Sequence, residues 1–338
     1  MDERAFGTSG LTTSAIGFGT WPIGGTSVKA GYGGVDDAEA IAAVRRAVDL
    51  GITCFDTAPA YGLGRAEEVL AEALGDRRKD VVVVTKCGIP YVQEEGRFGR
   101  NATYDHVVQS AEESLGRLRT DYLDLLLIHW PDEATPAEET MRALVELRDS
   151  GKARYIGVSN FSPGQMADCL QYGPLHANQV GYNLFDRRYE RETFAFCQDH
   201  GIGVMAYGPL AHGLLAGQFT EETTFGERDW RAGGSIFGLP IFTPENFVRN
   251  VRVVERLKTF AAERGYTVAQ LALAWVLRHS AVSVALVGAR TVAEIESAVP
   301  ALGWKLNEAE LAVVAAIMAD AAGTGLAADK LSEITPDR

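Results

Sequence analysis

The feature that most constrains this chain is a recurring unit. From Asp36 onward an amphipathic helical stretch is followed by a short apolar run, then by a polar loop. "DDAEAIAAVRRAVDLG" precedes "ITCFDT", "RAEEVLAEALG" precedes "DVVVVTK", and "TYDHVVQSAEESLGRLRT" precedes "DYLDLLLIHW". The pattern continues through "ARYIGVSN", "HANQVGYN", "IGVMAYG" and "VSVALVG", each after its own helical stretch. With an opening run at "AIGFGT", this predicts eight strands. Strands that are apolar on both faces and joined through helices belong to a covered parallel sheet. Eight such units predict an α/β chain closed into a (β/α)8 barrel, a TIM barrel. The alternative, an open doubly wound sheet, requires a Gly-rich phosphate turn after an early strand. The chain contains no GxGxxG and no GxxxxGK[ST], and "GLG" at Gly62 to Gly64 is an isolated pair.

Two departures from the repeat matter. "RAFGTSGLTTS" predicts an N-terminal β-hairpin ahead of the barrel. Residues 211–243 form a long Gly- and aromatic-rich stretch, and long loops in compact domains usually carry function. After the last strand come "TVAEIESAVPALG", an extra C-terminal helix "NEAELAVVAAIMADA" and a polar tail. Residues 1–338 therefore read as one domain, with the barrel over about 15–300 and the C-terminal helix and tail over 304–338.

Composition narrows the function. Apolar residues make up 46% and charged residues 23%, as in soluble globular proteins. A formal charge of -13 repels nucleic acid and anionic membranes. No 18-residue apolar run predicts a membrane span, and the start lacks the basic and apolar regions of a signal peptide. The expected location is the cytoplasm. Cys54, Cys87, Cys169 and Cys197 are scattered and form no CxxC pair, so they read as buried free thiols. The six histidines show no metal-ligand spacing, and no metal is expected.

Barrel active sites sit where the strands end. Alternation places Ile52, Cys54 and Asp56 on one side of the second strand. It places Val82, Val84 and Lys86 on one side of the third, and Leu123, Leu125, Leu127 and His129 on one side of the fourth. Each set turns ionisable at its C-terminal end, and Tyr61 follows Asp56 in the next loop. Any one of these alone reads as a solvated or structurally paired residue. Four on consecutive units predict a carboxylate, a lysine, a histidine and a phenol at one mouth. A lysine cation lowers the pKa of a neighbouring phenol, which predicts a tuned proton donor or acceptor at Tyr61.

The stretches "FDTAPAYG", "TKCG", "LLLIHWPD", "GVSNFS", "QVGYNLFDR" and "AYGPLAHGLLAG" resemble, in order, the consecutive motifs of the aldo-keto reductases. The resemblance spans roughly residues 5–320. "GTWPIGG" and "LVGARTVAEIE" are most similar to the bacterial general-stress and inositol-utilisation-type branch. The resemblance implies NADP(H) bound without a Rossmann domain, and a catalytic tetrad of Asp56, Tyr61, Lys86 and His129. It puts the nicotinamide on Tyr207, its carboxamide at Ser159, Asn160 and Gln179, and the pyrophosphate near Gly208, Pro209, Leu210, Gly213, Leu215 and Gly217. Gly19, Thr20, Trp21 and Asp56 complete the implied cofactor site. Trp21, Tyr61, His129 and Trp130 line the implied substrate wall, with the 211–243 loop and the tail over it.

The adenosine end departs from the better-known pattern. Gly288, Ala289, Glu294 and Ala298 stand where many members have a Lys-Ser pair, an Arg and an Asn. Arg290 is the nearby cation for a 2'-phosphate. Glu294 either positions Arg290 or repels the phosphate and favours NAD(H). The expected activity is NADPH-dependent reduction of small-molecule aldehydes and ketones, with NAD(H) as the alternative cofactor. A sugar or polyol dehydrogenase using NAD(P)+, and a non-catalytic cofactor-sensing subunit, are the competing functions. Oligomeric state is left open.

Overall fold

The computed structural model describes residues 1–25, 34–226 and 229–324. Strands β1 (Glu3–Ala5) and β2 (Thr12–Ser14) form the antiparallel N-terminal hairpin. Then come β3 (Ile16–Gly19), β4 (Cys54–Asp56) and β5 (Val82–Cys87), followed by a second small hairpin of β6 (Tyr91–Val92) and β7 (Arg97–Phe98). The remaining strands are β8 (Leu123–Ile128), β9 (Ala153–Ser159), β10 (Ala177–Gly181), β11 (Gly203–Tyr207) and β12 (Val282–Gly288). The eight outside the hairpins form a closed barrel in the order β3, β4, β5, β8, β9, β10, β11, β12. All eight pairings are parallel, and β12 closes on β3 with Gly288 opposite Gly19. The expected (β/α)8 barrel and N-terminal hairpin are both present.

The helices are α1 (Asp37–Asp49), α2 (Arg65–Leu74), α3 (Tyr104–Leu118), α4 (Ala137–Asp149), α5 (Pro163–Leu170) and α6 (Glu192–Asp199). The series ends with α7 (Pro244–Ala262), α8 (Val268–Leu277), α9 (Val292–Ala298) and α10 (Glu308–Met318). Their starts are written in the sequence. The Asp36 carboxylate accepts from the amides of Ala38 and Glu39. Ser162 with Gln165, Thr267 with Gln270, Thr291 with Glu294 and Asn307 with Glu310 form reciprocal capping boxes. Each satisfies backbone donors that a helix start otherwise leaves unpaired.

The core has two layers. Val84, Leu125, Leu127, Met205, Val284 and Leu286 fill the barrel, with Phe6 and Leu11 from the hairpin segment packed into the same cluster. The second layer lies between strands and helices and includes Phe18, Phe55, Val83, Leu126 and Ile128. Ile52 and Leu123 were expected to share a face with Asp56 and His129, but both pack in this second layer. Ile52 precedes β4 and Leu123 opens β8, so strict alternation does not extend to them. The four cysteines are buried and unpaired. Among the described residues no helix is long and apolar enough to cross a membrane. The tail beyond residue 324, expected over the substrate wall, lies outside the described residues, as do residues 227–228 of the long loop.

Candidate active site

Four side chains expected at the mouth are held there by the ends of β4, β5 and β8. Lys86, fully buried, is the hub. Its Nζ donates to both oxygens of Asp56 at 2.8 Å, to the Thr57 carbonyl at 2.9 Å and to the Tyr61 hydroxyl at 3.1 Å. Gln179 Nε2 donates to Asp56 Oδ2 at 2.6 Å, so the carboxylate is fixed from two sides. His129 meets the Tyr61 ring edge-on at 5.8 Å, and its Nδ1 is buried with no hydrogen-bond partner.

The loop that carries Tyr61 is held by backbone contact. Gly62 has φ 63, and a Cβ there would lie 1.8 Å from the Gly24 carbonyl oxygen. Only glycine permits this approach. It sets the Tyr61 loop against the turn Trp21–Ile23, and the Trp21 and Tyr61 rings stack with centroids 6.0 Å apart.

Burial dominates the electrostatics. It pushes the Asp56 carboxyl up against the opposing pull of Lys86, and the Lys86 ammonium down against the pull of Asp56. The Tyr61 phenol is held well above its ordinary value, first by burial and then by the Asp56 charge. This corrects the expectation of a lowered phenol. The lysine is present, but its charge is shared with a carboxylate and the ring is taken out of water. His129 is held well below its ordinary value by burial and by Lys86, so its imidazole is neutral near pH 7. The mouth thus presents a protonated phenol in contact with a buried ammonium, beside a neutral imidazole.

A second polar group lies across the barrel. The Tyr207 hydroxyl donates to Asn160 Oδ1 at 2.9 Å. Asn160 Nδ2 donates to Ser159 Oγ and to the His129 carbonyl, and Ser159 Oγ donates to the Gln179 carbonyl. Tyr207 is therefore a fixed, half-buried ring at the end of β11. Gly19 ends β3, and Thr20, the next residue, has its Oγ1 buried without a partner.

The long loop brings aromatic rings that sequence reasoning did not place. Trp230 lies 4.7 Å from Trp21, and Phe237 lies 5.7 Å from both Tyr207 and Trp130. Two arginines hold this loop. Arg188, paired with Asp186, donates to the Phe237 carbonyl at 2.9 Å, and Arg231, paired with Asp229, donates to the His212 carbonyl at 3.1 Å. The one sequence signal was the opposite charge pair inside "NLFDRRYE". Thr57 contributes through its carbonyl, which no side-chain pattern reveals.

The segment 208–217 adopts left-handed backbone at Gly208, His212, Gly213 and Gly217. A Cβ on Gly208 would meet His212 at 3.1 Å, and one on Gly217 would meet Val268 at 2.6 Å. These glycines serve the loop's own packing in addition to any ligand. Pro209 and Leu215 are buried, and Leu210 accepts from the amides of Gly213 and Leu215. Gly288 packs on Pro22, and Ala289 is buried. Farther out, the Glu294 carboxylate accepts from the backbone amide of Arg290 at 2.6 Å and from that of Thr291 at 3.3 Å. Its other oxygen lies 3.7 Å from the Arg290 guanidinium.

Residues 15–319 match the model of the aldo/keto reductase family. The chain belongs to that family. It is 39% identical over 310 residues to "Aldo-keto reductase YhdN" of Bacillus subtilis (strain 168), covering 91% of this chain and 90% of YhdN. It is 34% identical over 322 residues to the "NADH-specific methylglyoxal reductase" of Escherichia coli (strain K12), covering 92% and 96%. Among solved structures it resembles the glycerol dehydrogenase AKR11B4 from Gluconobacter oxydans, with TM-score 0.86, 34% identity and 96% and 97% coverage.

The residues present fit a nicotinamide cofactor of the kind that family uses. Tyr207 offers a ring fixed through its hydroxyl. Gln179 spends its amide nitrogen on Asp56, which leaves Oε1 as its acceptor for a carboxamide. The buried, unpartnered Thr20 Oγ1 at the end of β3 is an unmet polar group at the same mouth. Among the described residues no three or more His, Cys, Asp or Glu side chains gather as metal ligands.

Proposed function

We propose that this chain is an NADP(H)-dependent reductase of aldehydes and ketones in which Tyr61 is the proton donor. The observation that carries the reading is the Lys86 ammonium, in contact with both Asp56 oxygens and the Tyr61 hydroxyl. When bound, the reduced nicotinamide supplies a hydride to the carbonyl carbon. Tyr61 supplies the proton to the carbonyl oxygen, so two electrons and two hydrogens enter and an alcohol leaves. The Lys86 ammonium stabilises the phenolate that remains, and Asp56 and Gln179 hold that ammonium in place. His129, neutral, offers a ring N–H that orients the substrate oxygen. Trp21 and Trp130 wall the substrate, and Trp230 and Phe237 shield it from water. Tyr207, Ser159, Asn160 and Gln179 hold the nicotinamide end, the 208–217 segment the pyrophosphate, and Arg290 the 2'-phosphate.

A phenol held above its ordinary value is loaded with the proton that reduction consumes. Alcohol oxidation, suggested by the similarity to a glycerol dehydrogenase, needs the same phenol as a base and is favoured at alkaline pH.

A second cofactor reading is favoured by Glu294. Its carboxylate already occupies the amides of Arg290 and Thr291, so a phosphate there meets a negative charge. A ribose hydroxyl does not. The name of the Escherichia coli relative points the same way. NAD(H) is therefore the alternative.

The test of the main reading is Tyr61→Phe. It keeps affinity for NADPH, read by tryptophan quenching, and loses about 10³-fold in kcat with a reactive aldehyde. Wild-type turnover in this variant would remove Tyr61 from the chemistry.

A further inference from the structure

Glu67 is a fully buried carboxylate that the reduction chemistry above does not use. It lies on the inward face of α2 with Ala66, Val69, Leu70, Ala73 and Leu74, and among the buried residues of that helix it alone is charged. Taking an ionised group out of water costs stability, and an apolar side chain at the same place would avoid that cost. What the charge holds accounts for its place. Oε1 accepts from the Thr85 hydroxyl at 2.6 Å, and Oε2 accepts from Arg117 Nε at 2.6 Å. Thr85 immediately precedes Lys86 on β5. Val84 packs inside the barrel and Val83 between strands and helices, so alternation turns Lys86 inward and Thr85 outward, toward α2.

The same carboxylate is tied to the loop that carries Tyr61. That loop runs into the first turn of α2. The Ala66 amide donates to the Tyr61 carbonyl at 3.2 Å, and the Glu67 amide to the Gly64 carbonyl at 3.1 Å. Arg117, near the end of α3, lies against the end of the loop. Gly64 has φ 91, and a Cβ there would lie 2.6 Å from Arg117 Cδ. Arg117 also donates from Nη2 to Ser114 Oγ at 3.3 Å, and its Nη1 lies 3.7 Å from Glu113. One carboxylate thus joins α2, α3 and β5, with the phenol's loop on one side of the junction and the ammonium's strand on the other.

The contact between phenol and ammonium is the longest that Lys86 Nζ makes. It is 3.1 Å, against 2.8 Å to each Asp56 oxygen and 2.9 Å to the Thr57 carbonyl. Asp56 is set against β5 by the sheet itself, where it lies opposite Val84. Tyr61 sits in a loop, and no strand pairing fixes its distance from β5. The Glu67 charge has a second effect. Burial pushes the Lys86 ammonium down, and Glu67 joins Asp56 in pulling against it.

We propose that Glu67 is a positioning residue for the reaction: with Arg117 and Thr85 it fastens the loop that carries Tyr61 to the end of β5 that carries Lys86, and so sets the contact between phenol and ammonium. The proposal rests on the reduction reading above for the roles of Tyr61 and Lys86. The junction itself stands on its own contacts.

The test removes one hydroxyl. Thr85→Val keeps the shape of the side chain and the Glu67–Arg117 pair but breaks the tie to β5, and Thr85→Ser restores it. A misplacement of about 1 Å at a reacting group can cost about 10²-fold in rate. Thr85→Val therefore loses about tenfold or more in kcat with a reactive aldehyde, while the aldehyde KM and the affinity for NADPH stay within about twofold. Thr85→Ser stays within about twofold of wild type in all three. Glu67→Gln, with one side-chain oxygen for two donors, loses kcat as Thr85→Val does. A second readout needs no turnover. In protein labelled with 13Cζ-tyrosine, the Tyr61 signal, assigned by its loss in Tyr61→Phe, reports the hydrogen bond that the phenol accepts from Lys86. It moves in Thr85→Val and returns in Thr85→Ser. A moved Tyr61 signal in a protein whose Tyr61→Phe variant still reduces aldehydes at the wild-type rate would uphold the junction and overturn the reduction reading. A lower melting temperature in Thr85→Val with kcat and the Tyr61 signal unchanged would make the junction merely structural and overturn the proposal. A loss of kcat with an unmoved Tyr61 signal would overturn it as well.

Discussion

Two buried carboxylates, both near barrel strands, show what separates a structural charge from a reactive one. Asp124, near the start of β8, is held by arginines. Arg78 reaches one oxygen at 2.7 Å and Arg154 the other at 3.0 Å, and the Val83 amide adds a third bond. Both guanidinium groups also lie over the Tyr122 ring, at 4.5 and 3.8 Å. Every acceptor is met by a donor that never gives up its proton, and no reacting group is in contact. Asp56, at the end of β4, is held by a lysine instead. Lys86 shares its three donors among four acceptors, the two Asp56 oxygens, the Thr57 carbonyl and the Tyr61 hydroxyl, so its charge reaches a phenol as well as a carboxylate. The same burial that makes Asp124 a fixed pin makes the Asp56–Lys86 pair an adjustable support for Tyr61. The difference lies in the partner chosen and in what the partner touches next.

Exchanging the roles breaks the comparison most sharply. Lys86→Met removes the ammonium from Tyr61 and strands Asp56. Turnover falls by about 10³-fold or more, and unfolding free energy drops by about 3–5 kcal/mol because a buried charge loses its partner. Denaturant melts and steady-state assays read both effects. Asp124→Asn takes away stability alone, about 2 kcal/mol given the partly exposed Arg154, with kcat within about twofold of wild type. A large loss of kcat in the folded Asp124→Asn protein would erase the distinction.

The histidines give a smaller effect with a definite sign. His129 is held well below its ordinary value, and burial with Arg231 and Arg188 pushes His212 down to about 3. Burial lowers His106, His176 and His279 too. Below a pH of about 6.5 the unfolded chain takes up protons that the folded chain refuses. Stability is therefore lost as pH falls from about 6.5 toward the folded values, and it is complete above that range. Melting temperatures recorded between about pH 7 and about pH 5 show the decline, and His212→Phe makes it shallower. An unchanged slope would mean that His212 takes up a proton in the folded protein.

The smallest effect concerns the cofactor's far end. Arg290→Ala weakens NADPH about tenfold and NADH less, and Glu294→Gln shifts the ratio toward NADPH. Quenching titrations measure both. A wild-type preference for NADH would put the Glu294 carboxylate in control of the adenosine end.

How far these features could be read in advance depended on their range. The barrel was legible because each unit repeats the same local rule, and Asp56, Lys86 and His129 were legible because each interrupts an apolar strand at its end. The alternation failed at Ile52 and Leu123, which sit outside or at the edge of their strands, where pleat no longer fixes direction. The phenol's direction of shift was not legible. It is set first by how deeply the ring is buried, which no local pattern reveals, and then by the charge of Asp56, which the sequence reading weighed only as a support for the lysine. Phe237 and Trp230 were invisible as site residues because their loop is folded back over the mouth by the distant Arg188 and by Arg231 within the loop itself. The capping role of Glu294 was written in "TVAE", a Thr three residues before a Glu, but the residue was weighed only as a partner for Arg290 or a charge repelling a phosphate.

The most direct test of the central claim is the pH dependence of single-turnover carbonyl reduction with a saturating reduced nicotinamide. If Tyr61 is a proton-loaded acid supported by Lys86, the rate stays level from about pH 6 to about pH 9 and falls only where a phenol pushed above its ordinary value of about 10 ionises. A rate that falls with a midpoint near pH 7, in wild type but not in Tyr61→Phe, would mean that the phenol is already ionised at neutral pH and cannot be the acid.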